Sequence, residues 1–157
     1  MENKMITLNA EYWDKRHLSD DTPWNLHLPS PPISAYVDQI TDKNLSILVP
    51  GAGHIHEALY LIEQGFSNIT VCDISEVAIK KMKSQLDITS KINYLTMDFF
   101  DIEETYDLIL EQTFFCAIDR SLRQNYVEKM YELLKVNGTL AGVLFGIEFP
   151  HSGPPFG

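Results

Sequence analysis

Basic side chains are scarce in this sequence. Twelve Lys and Arg stand against 22 Asp and Glu, a formal charge of −10, and the clustered cations that nucleic-acid phosphate demands are missing, so no nucleic-acid partner is expected. Cysteine is scarcer still. Cys72 and Cys116 are the whole complement; they lack the spacing of a metal or redox site and read as the reduced thiols of a cytoplasmic protein. No apolar run approaches the roughly 20 residues of a membrane span, and no apolar segment of a secretory leader follows Met1-Glu2-Asn3-Lys4. Internal repeats and low-complexity tracts are also absent. What is present is 45% hydrophobic and 22% charged over 157 residues, the composition of a single globular domain, residues 1–157, with a sizeable core.

The most informative stretch is Leu45 to Glu57, Leu-Ser-Ile-Leu-Val-Pro-Gly-Ala-Gly-His-Ile-His-Glu. Leu45 to Val49 reads as a buried parallel strand, Pro50-Gly51-Ala52-Gly53 as a tight turn, and Ala58, Leu59, Leu61 and Ile62 fall at helical spacing. Without Cβ atoms, Gly51 and Gly53 let a ligand approach backbone N–H groups closely. Twenty residues after Gly53, the strand Ile69 to Cys72 ends at Asp73, where a carboxylate can accept from both hydroxyls of a ribose. A nucleoside-containing ligand is implied; an ordinary strand–helix unit with a glycine turn is the alternative. His56 occupies the third glycine place of the dinucleotide fingerprint, which disfavours NAD or FAD and with them a nicotinamide oxidoreductase. No Lys or Arg lies between Leu45 and Ile79, which suits a ligand without phosphate, and S-adenosylmethionine (SAM) is such a molecule.

Asn9 to His17 is expected to be a short helix with Asn9 as N-cap and Tyr12, Trp13 and Arg16 on one face. The proline-punctuated stretch from Asp20 to Pro32 reads as a lid or strap. Trp13 and Trp24 either pack this arm onto the core or touch the ligand. Helices are expected over Ser34 to Ile40, Glu76 to Leu86 (N-cap Ser75) and Arg123 to Leu134, the last stopped by Asn137-Gly138. Further strands are expected over Ile92 to Thr96, Tyr106 to Leu110 and Thr139 to Phe145. Asp98 and Phe99 follow the third strand, as an adenine-edge acceptor and ring cover or as a solvated acid beside a core phenylalanine. Glu111 to Ala117 follows the fourth strand, where reacting groups gather. His54 and His56 have no third ligand spaced for a metal and read as surface or supporting residues. The alternation predicts a doubly wound α/β sheet, order 3-2-1-4-5, with right-handed crossovers.

These residues resemble one family, the SAM-dependent methyltransferases of the thiopurine S-methyltransferase type, including halide and thiol methyltransferases. The resemblance rests on Tyr12-Trp13-Asp14, Thr22-Pro23-Trp24, Val49-Pro50-Gly51-Ala52-Gly53, Cys72-Asp73-Ile74-Ser75, Asp98-Phe99-Phe100, Thr113 to Ile118 and Gly153-Pro154-Pro155-Phe156. It implies a Rossmann-like class I fold and SAM as cofactor, with S-adenosylhomocysteine as product. Residues 1–33 become a lid and 34–157 the core. It implies that Trp13 and Trp24 close over the methionine end, that Gly51 and Gly53 contact it through backbone, and that Asp73 binds ribose beside Ile74. Asp98 and Phe99 then edge the adenine, Thr113 adjoins the transferred methyl group, and Arg120 or Arg123 lies near the site. No catalytic residue is assigned. The expected reaction is in-line methyl transfer to a small soft nucleophile, a thiol, thiopurine or halide, which needs alignment more than a strong base. Two departures stand out: Ile55 where a small residue is usual, expected to crowd the methionine end, and Asn25 where an acid is usual. Family members continue through another helix and two strands, so the chain reads as C-terminally truncated relative to them. The alternative function is therefore a non-catalytic SAM-binding or scaffold remnant, and the uncovered fifth strand is expected to favour self-association.

Overall fold

A computed structural model describes residues 7–85 and 91–157. Five strands, β1 (Ile47–Pro50), β2 (Ile69–Asp73), β3 (Ile92–Thr96), β4 (Tyr106–Gln112) and β5 (Leu134–Val143), form one parallel sheet in the order β3-β2-β1-β4-β5. The expected order is borne out. β1 and β2 are buried along their whole length, as unbroken apolar runs between two helical layers must be. Helices α2 (Pro31–Val37), α3 (His56–Glu63) and α4 (Glu76–Ser84) cover one face through Ile33, Val37, Ala58, Leu61, Ile79 and Met82. The other face is covered by α5 (Arg123–Leu133), whose Tyr126, Met130 and Leu133 pack with Phe99, Ile102 and Ile118. The N-terminal α1 (Ala10–Leu18) lies outside these layers, against α4.

Local chemistry sets the boundaries. The Asn9 side chain accepts from Tyr12 N–H at 3.0 Å and caps α1, and Ser75 accepts from Ala78 N–H at 3.0 Å and caps α4; both caps were expected. The helix expected over Ser34 to Ile40 instead runs Pro31–Val37, because prolines at its first positions lack only N–H groups that have no helical partner. Leu86 lies outside the described residues. β4 continues two residues beyond Leu110. The largest correction concerns the fifth strand. α5 stops at Leu133 and β5 starts at Leu134, so Asn137-Gly138 is no helix stop. Leu134 pairs with Tyr106, the next pairing is Thr139 with Leu108, and Asn137, at φ 65°, turns the excursion between them.

Candidate cofactor site at the carboxyl edge of the sheet

Pairing between β1 and β4 runs only through Ile47–Leu108 and Leu48–Ile109. Beyond it, the Gly51–Gly53 turn after β1 and Thr113-Phe114 after β4 face the crevice at the point where the strand order reverses. This is where an open α/β sheet offers a ligand site. Both glycines are left-handed, φ 55° and 56°, a conformation that any other residue adopts only under strain.

Asp73 stands behind the turn. Its Oδ2 accepts from Gly53 N–H at 2.8 Å and its Oδ1 from Ser75 N–H at 2.8 Å. The carboxyl group is buried, and burial raises its pKa against the pull of those two donors. Each carboxylate oxygen retains acceptor capacity after one bond. Ile74, its neighbour, is half-buried.

The N-terminal arm closes over the turn. Trp24 Nε1 would lie 3.4 Å from a Cβ built on Gly53, and His17 Cε1 3.8 Å from it. Trp13 packs edge-on against Trp24 at 5.6 Å, so the two tryptophans form one unit. Side-chain bonds hold the arm, among them those of Lys81 Nζ on α4, which donates to His17 C=O at 2.5 Å and to Asp20 at 2.6 Å. Asp14 accepts from Ser75 Oγ at 2.6 Å and Val77 N–H at 3.1 Å, placing an anion at the start of α4. Ser30 N–H donates to buried Glu57 at 3.0 Å, and His56 Nε2 meets Asn25 Oδ1 at 2.9 Å. Asn25 thus pins the arm to the start of α3, just after the turn. Ile55 does not crowd the crevice: it is 1% exposed and packs into the core beneath the turn.

On the β4 side, Thr113 lies at φ 56°, an uncommon conformation for a β-branched residue. Its hydroxyl donates to Gln112 C=O at 2.7 Å. Phe114 turns its ring onto Gly51 and lies 5.1 Å from Phe99. Phe99 itself is buried in the aromatic cluster with Phe100 and Tyr126, so its ring faces the core. Asp98 accepts from Phe100 N–H at 3.0 Å. Glu111, 1% exposed, accepts from the N–H groups of Phe114 and Phe115, and its other oxygen has no partner. Burial pushes its pKa up to about 7. Arg123 lies 4.7 Å over Phe115 and donates to Gly157 C=O at 2.9 Å, while Phe156 N–H donates to Cys116 C=O at 2.7 Å. The terminal segment is thus folded back on the Phe115 turn. Arg120 lies over Phe156 at 5.7 Å.

Two spaces adjoin the turn. A cavity of about 30 Å³ is lined by Trp24, Val49, Ala52, His56, Gln112 and Thr113 among others, room for one water. An open cleft of about 630 Å³ lies beside it, lined by His17, Thr22, His27, Lys81 and others. Asn25 and His54 belong to both walls. The structure therefore brings Trp24, Gly51, Gly53, Asp73 and Thr113 together at one edge. The Phe99 ring is set back in the core.

The sequence model of thiopurine S-methyltransferase matches residues 8–157. The chain belongs to the thiopurine S-methyltransferase family. Its curated relatives include a probable thiol methyltransferase 2 of Arabidopsis thaliana, 33% identical over 149 residues, covering 92% of this chain and 66% of the relative. Thiocyanate methyltransferase 1 of Brassica oleracea is 32% identical over 156 residues, covering 96% of this chain and 68% of that one. The chain thus spans about two thirds of the length of these family relatives. Among solved structures, the 1,6-didemethyltoxoflavin-N1-methyltransferase of Burkholderia thailandensis, with bound S-adenosylhomocysteine, superimposes at a TM-score of 0.68 and 16% identity, covering 83% of this chain and 58% of that one. The fold is that of class I methyltransferases, with β1 to β5 in the expected order. His17 is a site feature that the sequence did not single out; Glu111 and Phe114 lie in the segment it marked for reacting groups, but it does not reveal their contacts with the Phe115 turn and Gly51. Asp14 lies in the Tyr12-Trp13-Asp14 motif, but its partner Ser75 is 61 residues away, and no local pattern reveals that pairing.

Proposed function

We propose that this chain forms the cofactor-binding core of a SAM-dependent methyltransferase acting on a small soft nucleophile, a thiol, thiopurine or halide. The observation that carries the reading is the left-handed Gly51–Gly53 turn braced by Asp73 at the crevice between β1 and β4. Family membership supports it, as do relatives named thiol and thiocyanate methyltransferases. The residues present suit SAM. The turn offers backbone where a side chain would clash, Asp73 offers lone pairs to ribose hydroxyls, and the stretch from Leu45 to Ile79 holds no Lys or Arg for a phosphate. When bound, the cofactor supplies a methyl group already activated by a sulfonium. The chain's own tasks are then to orient and to exclude water. Gly51, Gly53 and Trp24, with Trp13 behind it, hold the methionine end; Asp73 and Ile74 hold the ribose; Asp98 and the backbone of Phe99 edge the adenine. Thr113 lines the crevice on the acceptor side. The 30 Å³ cavity is far smaller than a nucleoside, so cofactor reaches the turn from the adjoining open cleft of about 630 Å³ or with the arm displaced.

A second reading is favoured by one observation. Among the described residues β5 forms a sheet edge with Leu140 and Val143 exposed, which suits a scaffold that binds SAM without turnover and associates with another copy through that edge. Buried, free Cys72 and Cys116 support a reducing, cytoplasmic setting. Among the described residues no helix is long and apolar enough to cross a membrane. Calorimetry with S-adenosylhomocysteine tests the shared premise: no binding at millimolar ligand overturns both readings. Turnover with a panel of thiols and halides then separates them.

A further inference from the structure

Six rings run in contact from α1 to the glycine turn. Tyr12 meets Trp13 at 4.9 Å, Trp13 meets Trp24 at 5.6 Å, Trp24 meets His17 at 5.8 Å, His17 meets His54 at 5.5 Å, and His54 stacks on His56 at 5.8 Å, within 10° of parallel. The first four belong to the arm and the last two to the turn. His17–His54 is therefore the joint between them, and His54 with Asn25 is the wall between the open cleft and the small cavity. Asn25 Oδ1 already accepts from His27 N–H at 2.8 Å. A carbonyl oxygen only accepts, so the His56 Nε2 facing it carries a proton.

We propose that the imidazoles of His17 and His54, which meet where the arm rests on the glycine turn, are an acid-released latch. Uncharged, they hold the arm on the glycine turn; protonated, they repel one another, and the arm leaves and joins the cavity to the cleft.

The surroundings favour this direction. His54 is faced by His17 from α1, His27 from the arm loop, His56 on its own turn and Lys81 from α4. His17 is faced by Lys81 and Arg16 and by Asp14 and Asp20. The carboxylates nearby are already engaged: Asp14 by Ser75 and Val77, Asp20 by Lys81, Asp21 by Arg16, Glu57 by Ser30, Asp73 by Gly53 and Ser75. A proton arriving at this joint therefore finds burial and nearby cations. These hold His54 down to about 4, and burial and Lys81 lower His17 as well. In a released arm His54 returns toward its ordinary value of about 6.5. The latched form thus binds fewer protons below that pH, and the latch weakens by about tenfold per pH unit as pH falls from 6.5 toward 4. That this exposes a cofactor site rests on the function proposed above; the latch itself does not.

Backbone hydrogen exchange of residues 19–30, corrected for intrinsic rates and measured at pH 7 and pH 5, tests it. The wild-type arm is expected to lose about tenfold or more protection at pH 5 while β1, β2 and β4 keep theirs. His54→Phe retains a ring and removes one of the two titrating groups, and is expected to lose clearly less protection at pH 5 than wild type; His17→Phe serves should that variant fail to fold. Equal wild-type protection at both pH values overturns the latch, and so does an acid loss that persists unchanged in the folded Phe variant. Calorimetry with S-adenosylhomocysteine at pH 7 is the separate check on the cofactor reading: an arm that opens with acid in a protein that binds none leaves the latch standing.

Discussion

Phe114 rests directly on Gly51: a Cβ built on the glycine would lie 2.1 Å from Phe114 Cδ2. The contact joins the turns after β1 and β4, and it makes two demands at position 51. One is steric, and the other is the left-handed backbone at φ 55°. Gly51→Ala is expected to cost about 2–4 kcal/mol, the sum of an overpacked contact and a left-handed alanine. Phe114→Ala in the same chain should return the steric part and leave about 1–2 kcal/mol. Urea denaturation of the four proteins in this cycle measures the coupling, and purely additive costs would show that the ring yields freely.

Asp73 is both brace and proposed ribose acceptor, and the two roles separate by measurement. Asp73→Ala removes the acceptor of Gly53 N–H and Ser75 N–H, so the free protein is expected to lose about 1–3 kcal/mol of stability. S-adenosylhomocysteine affinity should fall by a further 1.5–3 kcal/mol, roughly the worth of a hydrogen bond to a charged group. Calorimetry on the folded variant decides. Undiminished affinity would remove Asp73 from the site.

The parts of this site that were legible in the sequence are those whose chemistry is local. Gly51, Gly53 and Asp73 stand at the ends of two apolar runs, and Ser75 and Asn9 announce helix starts three residues ahead of the N–H groups they accept from. Order 3-2-1-4-5 follows from alternation and crossover handedness. What was hidden depends on meetings across the fold. Ile55 seemed to threaten the crevice because spacing on a turn does not say which way a side chain points; here it points into the core. The start of β5 was misplaced because Asn137-Gly138 signals a turn equally well inside a strand pairing and at a helix end. His17 and His54 are each unremarkable in sequence and meaningful only as neighbours.

Glu111 gives the protein a pH dependence of its own. Burial raises its folded pKa from 4.5 to about 7, so between those values the folded state holds a proton that the unfolded state has lost. Stability contributed at this site therefore falls as pH rises from about 4.5 to 7 and is level above, by up to roughly 3 kcal/mol. Glu111→Gln keeps an acceptor for the N–H groups of Phe114 and Phe115 and cannot ionise. Relative to wild type, it is expected to gain stability between pH 5 and pH 8. Parallel denaturation curves at the two pH values would show that the carboxyl group titrates normally.

The fifth strand sets the last expectation. β5 pairs with β4 on one side, and Leu140 and Val143 are 40% and 39% exposed, followed by Leu144, Phe145 and Ile147 at 62%, 47% and 60%. Its own sequence, Leu134 to Val143, has one charge, Lys135, at the far end from that apolar stretch. An edge with open backbone groups and apolar side chains recruits another strand. Sedimentation of this chain at tens of micromolar, an order-of-magnitude choice for such edges, is expected to show association. Leu140→Lys with Val143→Lys should return it to a monomer, since two charges at an edge oppose pairing. The pair leaves the Gly51–Gly53 turn untouched, so S-adenosylhomocysteine binding should persist in the monomeric variant. A wild-type chain that sediments as a monomer would show that this edge recruits no second copy, and the scaffold reading would lose the observation that favours it.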